Sequence, residues 1–323
     1  MKIKLSADER QFIVATSHAA DTSNSAISKL LGIREHKVRY LREKLVHQGV
    51  IKSSFLFNPA AIGLTAFGIY FNRGSVNSAS RLAFEKAAKE CPSVFWFSKI
   101  SGAYQYGVTY LVRRPYELED FFDLVKSGSS GNHFDKRTTI RTSWTQFSRN
   151  YLAPSMRKRF SHTFTADVPS QDIDPTDVEI LSYLGKNPDA SVSKMGRDMA
   201  IRPSTLSYRI EQLKKRDILL PPIYSINRDA LSIVVYRLLV VECGLSRQGK
   251  QSFFDFCAQD PRVVSFIRCA GDWDFEIRVE GETAEDAQEF AQGILDAFGQ
   301  SIASLTMVQE FASLKSVPFR AKG

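Results

Sequence analysis

Apolar positions recur along this chain in two alternating rhythms. Near the start, "SADERQFIVATSHA", "SAISKLLG" and "IREHKVRYLREKLVHQ" space apolar residues three and four apart, which predicts three short helices. "ADTSN" and Gly32 supply the turns between them, and "GVIKSSFLFN" reads as extended. The rhythm then changes to strand 64–72, helix 76–90, strands 94–101 and 103–112, helix 115–126 and a strand near 136–148. After 172 the same order returns. Asp174 or Pro175 opens a helix with Val178, Ile180, Leu181 and Leu184 inward, "NPDA" turns, and "SVSKMGRDMA" and "IRPSTLSYRIEQLKKRDIL" are helical. "ILLPPIYSIN" is extended, followed by strand 233–242, helix 246–259, strands 262–270 and 273–281, helix 283–299 and strand 301–311.

The recurrence is an internal repeat. Shifted by 168 positions, Ile33 meets Ile201, Val38 meets Leu206, Tyr40 meets Tyr208 and Leu45 meets Leu213. Further on the offset becomes 169, so that "FNPAAIGL" meets "INRDALSI" and "FSKISGAYQY" meets "FIRCAGDWDF", with Gly102 on Gly271. The chain is a duplication of a unit of about 150 residues.

Each unit opens with three helices and an extended stretch, the order of a winged helix–turn–helix, with Gly32 and Ala200 at the turn. Each continues as β-α-β-β-α-β, the ferredoxin-like plait. The expected class is therefore α+β: two winged helix–turn–helix domains, 1–55 and 173–223, and two plaits, 60–152 and 228–318. Residues 153–172, "APSMRKRFSHTFTADVPSQD", have little apolar periodicity and read as a linker.

Charge sharpens this picture. Residues 1–165 hold 25 Lys/Arg against 12 Asp/Glu, a net of +13, and the remainder holds 18 against 23, a net of −5. A basic first half suits a polyanion partner. In a helix–turn–helix the start of the second helix enters the major groove, where polar side chains meet base edges and cations meet phosphates. The candidates for double-stranded DNA are Arg34, His36, Lys37, Arg39, Tyr40 and Arg42 in the first head. Ser204, Thr205, Ser207, Tyr208 and Arg209 are their counterparts in the second. The matched Tyr40 and Tyr208 fit either DNA contact or packing on the wing.

Other chemistry leaves little trace. The four cysteines lack metal-ligand spacing, and Cys243, Cys257 and Cys269 sit among apolar neighbours, which predicts buried thiols. No run has the length of a membrane helix, and the N-terminus lacks the apolar core of a signal peptide. A cytoplasmic protein is expected, without metal or cofactor. The histidines are His18, His36, His47, His133 and His162, none of them in the second plait. No Ser-His-Asp set or phosphate-cradling Gly loop is present.

The third helix "STLSYRIEQLKKRDIL" and the turn "GDWDF", set in this order of elements, resemble the Lrp/AsnC (leucine-responsive, feast/famine) transcription regulators. The resemblance covers nearly the whole chain, twice. It implies a bacterial-type, sequence-specific regulator whose two plaits pair within one chain as a pseudo-dimer, with further association of chains as a second level. It also implies an amino-acid-like effector near the turn between the middle strands, here Gly271, Asp272 and Asp274, with Gly102 matching in the first half. There the acids are replaced by Ala103-Tyr104-Gln105. Asp272 is equally suited to a plain turn. Sirohaem decarboxylases share the architecture and would need histidine and arginine clusters in the plait, but the second plait has no histidine, so the expectation is that the chain is not an enzyme. The remaining alternative is a scaffold or modulator of related regulators that does not bind DNA.

Overall fold

The computed structural model describes residues 2–17, 20–74, 77–126, 135–156 and 159–316, so His18, His133 and the expected domain end at 318 lie outside the described residues. The first half comprises α1 (Ala7–Thr16), α2 (Asn24–Leu31), α3 (Glu35–His47) and β1 (Ile51–Phe57). Its plait is β2 (Thr65–Asn72), α4 (Ser78–Glu90), β3 (Val94–Ser101), β4 (Tyr106–Val112), α5 (Leu118–Lys126) and β5 (Asp135–Phe147). A strand β6 (Ser161–Thr165) precedes the second half, whose head is α6 (Pro175–Lys186), α7 (Val192–Met199), α8 (Pro203–Lys215) and β7 (Leu219–Ile226). A short helix α9 (Arg228–Leu231) leads into β8 (Val234–Glu242), α10 (Arg247–Gln259), β9 (Val263–Gly271), β10 (Phe275–Gly281), α11 (Ala284–Phe298) and β11 (Ile302–Ser316). The repeated α+β order is the one the periodicities predict.

Local chemistry sets the helix starts. Ser6 and Glu9 form a reciprocal capping box on α1, and Ser23, Asp174 and Ser191 each accept a backbone N–H at the start of α2, α6 and α7. Pro175 and Pro203 occupy first turns, where a missing N–H costs nothing.

The two plaits do not stand apart. Their strands run in the order β2-β4-β3-β11-β8-β10-β9-β5, and β5 also pairs with β2, so eight antiparallel strands close into a ring. Closure depends on the long last strands. β11 pairs first with β8 and then with β3, and β5 pairs first with β2 and then with β9. The outer faces carry α4 and α5 over Phe67, Ile69, Phe71 and Phe97, and α10 and α11 over Leu238, Phe266, Phe275 and Ile277. Each such fully buried side chain contributes about 1.5–3 kcal/mol. The inner face packs Tyr70, Trp96 and Ile100 of one half against Leu239, Trp273 and Val308 of the other.

The heads are stitched together as well. β1 pairs antiparallel with β7, Ile51 opposite Ile226. Asn227 N–H donates to Val50 O at 2.8 Å, and Asn58 N–H donates to Ile218 O at 3.0 Å, so each wing ends on the other head. Tyr224 of β7 enters the core of the first head, while Phe55 and Phe57 of β1 enter the core of the second.

Two expectations are corrected. The stretch 153–172 contains β6, which extends the sheet beside β5, because Thr163 pairs with Thr145 through their hydroxyls at 2.9 Å and Phe164 packs on Trp144. Its alternation is carried by Ser, His and Thr, which gives no apolar signal. Cys257 is buried as expected, but Cys269 is half-buried and Cys243 is exposed at the end of β8.

Candidate nucleic-acid interface

In each head, the helix–turn–helix is held by a left-handed residue at the turn, Gly32 at φ 66° and Ala200 at φ 54°. Ser28 Oγ donates to Ile33 O at 2.6 Å and fixes the first turn. α3 buries Val38, Leu41 and Leu45, and α8 buries Leu206 and Leu213. The opposite faces are open. Arg34, His36, Arg39 and Tyr40 are exposed on the first head, and Ser204, Thr205, Ser207 and Tyr208 on the second. Tyr40 is 59% and Tyr208 66% exposed, so neither ring packs on a wing.

Three predicted contacts are occupied inside the protein. Arg42 is no free cation. It donates to Ala20 O at 2.6 Å, Thr22 O at 2.8 Å, Asn24 Oδ1 at 3.1 Å and Tyr224 Oη at 2.7 Å. It therefore locks the α2–α3 corner to the other half's wing. Arg209 bridges Asp174 at 2.6 Å and Asp177 at 2.8 Å, and holds the Asp174 carboxyl below its ordinary range. Lys37 is half-buried in an ion pair with Asp8.

The turn residues are also engaged. Gly271 (φ 143°) and Gly102 (φ 107°) each press on the last strand of the other half. A Cβ on Gly271 would stand 2.5 Å from Thr138 O, and one on Gly102 would stand 3.3 Å from Met307 O. Asp272 accepts from Thr138 N–H at 2.5 Å, and Asp274 accepts from Glu242 N–H at 2.9 Å. Both carboxylates already hold backbone donors.

Sequence reasoning passed over a set of charges inside the ring. Glu276 accepts from Arg141 at 2.8 Å, Arg237 at 2.5 Å and Tyr70 at 3.0 Å. Glu310 accepts from Arg237 at 3.0 Å, Arg228 at 2.9 Å and Ser98 at 3.0 Å. Glu280 accepts from Arg149 at 2.8 Å, Arg278 at 2.5 Å and Tyr151 at 2.9 Å. Burial raises a carboxyl, but the neighbouring guanidiniums outweigh it here. Arg149 and Arg278 hold Glu280 down to about 2, and Arg237 and Arg228 hold Glu310 well below its ordinary range. The signal was present in "WDFEIRVEG", where Glu276, Arg278 and Glu280 alternate with apolar residues.

A family model for winged helix–turn–helix DNA-binding matches residues 173–219. An uncharacterized HTH-type transcriptional regulator of Pyrococcus horikoshii is 23% identical over 141 residues, 43% of this chain and 93% of the relative. The solved structure of siroheme decarboxylase NirDL aligns over 97% of this chain and 93% of its own, with TM-score 0.59 and 13% identity. A Neisseria meningitidis transcriptional regulator solved with L-Met aligns over 46% of this chain and 97% of its own, with TM-score 0.41 and 16% identity. The siroheme decarboxylase match overturns the expectation that the chain is not an enzyme, because the full-length architecture is shared with one. Among the described residues, no helix is long and apolar enough to cross a membrane. Residues 173–219 match a winged helix–turn–helix DNA-binding domain, and the chain repeats a unit of head and plait, each unit about the length of the regulators it is similar to.

Proposed function

We propose that the chain is a sequence-specific DNA-binding transcription regulator in which two unlike heads, mounted on one closed ring, act as a built-in pair. The observation that carries this reading is the open face of α3 and of α8 on heads whose wings pair with each other. Arg34, His36 and Arg39 equip the first head for phosphates, which supply sequence-independent affinity. Ser204, Thr205, Ser207 and Tyr208 equip the second for base edges. Such a pair suits an asymmetric two-part site. An amino-acid-like effector at Gly271 would act by taking Asp272 from Thr138 or Asp274 from Glu242, loosening the turn where the halves meet.

The test is selection of bound sequences from random duplex DNA at about 150 mM salt. The double change Arg34→Ala/Arg39→Ala should weaken binding to all sequences and flatten the salt dependence. Ser204→Ala/Ser207→Ala should relax selectivity in one part of the site. Sequence-blind binding by the intact protein would remove the specific-regulator reading in favour of the scaffold.

The full-length fold match favours a second reading, tetrapyrrole carboxylate chemistry on the same ring. Titration with sirohaem, followed by its absorption band, decides it: no band shift at micromolar protein rejects it.

A further inference from the structure

The charges inside the ring form two alternating runs. One is Arg149–Glu280–Arg278. The other is Arg228–Glu310–Arg237–Glu276–Arg141. The two runs end on Arg278, bonded to Glu280, and on Arg228, bonded to Glu310. Among the described residues, five guanidiniums of this set share three carboxylates, and the stretches outside the described residues contain no Asp or Glu. Arg278 also lies directly opposite Arg237 across β10 and β8, a placement that disfavours like charges. Its Nε is buried and has no hydrogen-bond partner. A guanidinium left in that condition costs free energy until an acceptor arrives.

Both ends have access to solvent. The side chains of Arg278 and Arg228 are 19% and 17% exposed, against 11% or less for Arg141, Arg149 and Arg237. Burial pushes the Arg278 guanidinium down to about 10; Glu280 and Glu310 oppose the shift, and the like charges of Arg228 and Arg237 add to it.

We propose that Arg278 and Arg228, the ends of the two runs, form a binding site for a small oxyanion, the carboxylate or phosphate group of a metabolite-sized ligand. Two guanidiniums present planar N–H forks that match either group in a bidentate way. The place is strategic. Arg228 opens α9, whose Ala230 O accepts from Ile3 N–H at 2.8 Å, and the preceding Asn227 donates to Val50 of the first head. Tyr151 on Glu280 also packs against the first head's core. The ligand would thus sit where the first head is joined to the ring. The site stands independently of what the heads bind.

Thermal unfolding and calorimetric titration of the full chain test it, at constant ionic strength, with sodium acetate, sodium succinate and sodium phosphate against sodium chloride. The expected result is a saturable rise in Tm with at least one oxyanion and none with chloride, lost in Arg278→Gln and in Arg228→Gln. A response to acetate or succinate identifies a carboxylate ligand, and a response to phosphate a phosphorylated one. Without added anion, Arg278→Gln should unfold somewhat earlier than the parent, since Glu280 keeps only Arg149 and Tyr151, and the lost response to anion is the readout. If that variant does not fold, Arg228→Gln carries the test. A rise that never saturates, that chloride reproduces, or that survives both substitutions overturns the proposal.

Discussion

The two plaits share one path of backbone but fill the ring with opposite contents. At positions 169 apart, Gly68 stands where the second half has Arg237, Gly107 where it has Glu276, Thr109 where it has Arg278, and Arg141 where it has Glu310. Register confirms the equivalence: Thr139 lies opposite Gly68, and Val308 opposite Arg237. The first half makes room and the second half fills it. A Cβ on Gly68 would stand 3.0 Å from Arg141 Nε, and one on Gly107 would stand 2.7 Å from the Trp96 ring. Two identical chains around a two-fold axis would have to place the same residue on both sides. Fusion lifts that constraint, and the glycines of one half have become the complement of the other half's charges.

Removing the most shared charge should break this complementarity most severely. Arg237 binds Glu276 and Glu310 and stacks 4.0 Å over Trp96. Arg237→Met leaves two buried carboxylates short of a partner and should cost roughly 3–5 kcal/mol in urea unfolding. A loss under 1 kcal/mol would mean the seam is already relaxed. The turn glycines give a sharper, smaller contrast. Gly271→Ala meets Thr138 O at 2.5 Å and should cost about 2–3 kcal/mol, while Gly102→Ala, with 3.3 Å to Met307 O, should cost less. Equal midpoints for the two variants would show that the crossings are not differently packed.

Those crossings also mark the limit of what the chain discloses by itself. Strands and helices were legible because alternation and helical spacing are local properties, and the repeat was legible because the same residue types recur at one offset. Exchange between halves was not. Nothing in "GVIKSSFLFN" says that Phe55 and Phe57 will pack in the other head, or that β1 will pair with β7. Arg42, Lys37 and Arg209 read as free cations on a recognition helix because their partners, Tyr224, Asp8, Asp174 and Asp177, lie far along the sequence. Glu276 and Glu280 are ordinary alternating polar positions in "WDFEIRVEG", and only closure of the ring buries them.

Acid should expose the same difference between halves. Glu280 is held down to about 2 when folded and Glu310 is also held well below its ordinary range, against about 4.3 for an ordinary glutamate. The unfolded chain therefore binds more protons as pH falls, and stability present above about pH 4.5 is lost progressively toward about pH 2. Glu280→Gln should start less stable but fall less steeply with acid. Parallel Tm profiles for the two proteins would remove Glu280 from the groups responsible.

The smallest contrast lies in the heads. Gly32 and Ala200 occupy the same left-handed turn, and an added Cβ on Gly32 meets nothing within 4 Å. The difference is thus conformational only. Ala200→Gly should gain about 1 kcal/mol and Gly32→Ala should lose about as much. Opposite or absent shifts in thermal unfolding would show that the turns are not equivalent.

The pairing of β1 with β7 and the passage of β5 and β11 between sheets have a consequence for abundance. In a ring made from two polypeptides, the assembled fraction falls on dilution. Here every exchange is between segments of one chain, at a tethered effective concentration on the order of millimolar. The spacing of the heads therefore does not depend on how many copies are present. A scarce molecule keeps its two heads together.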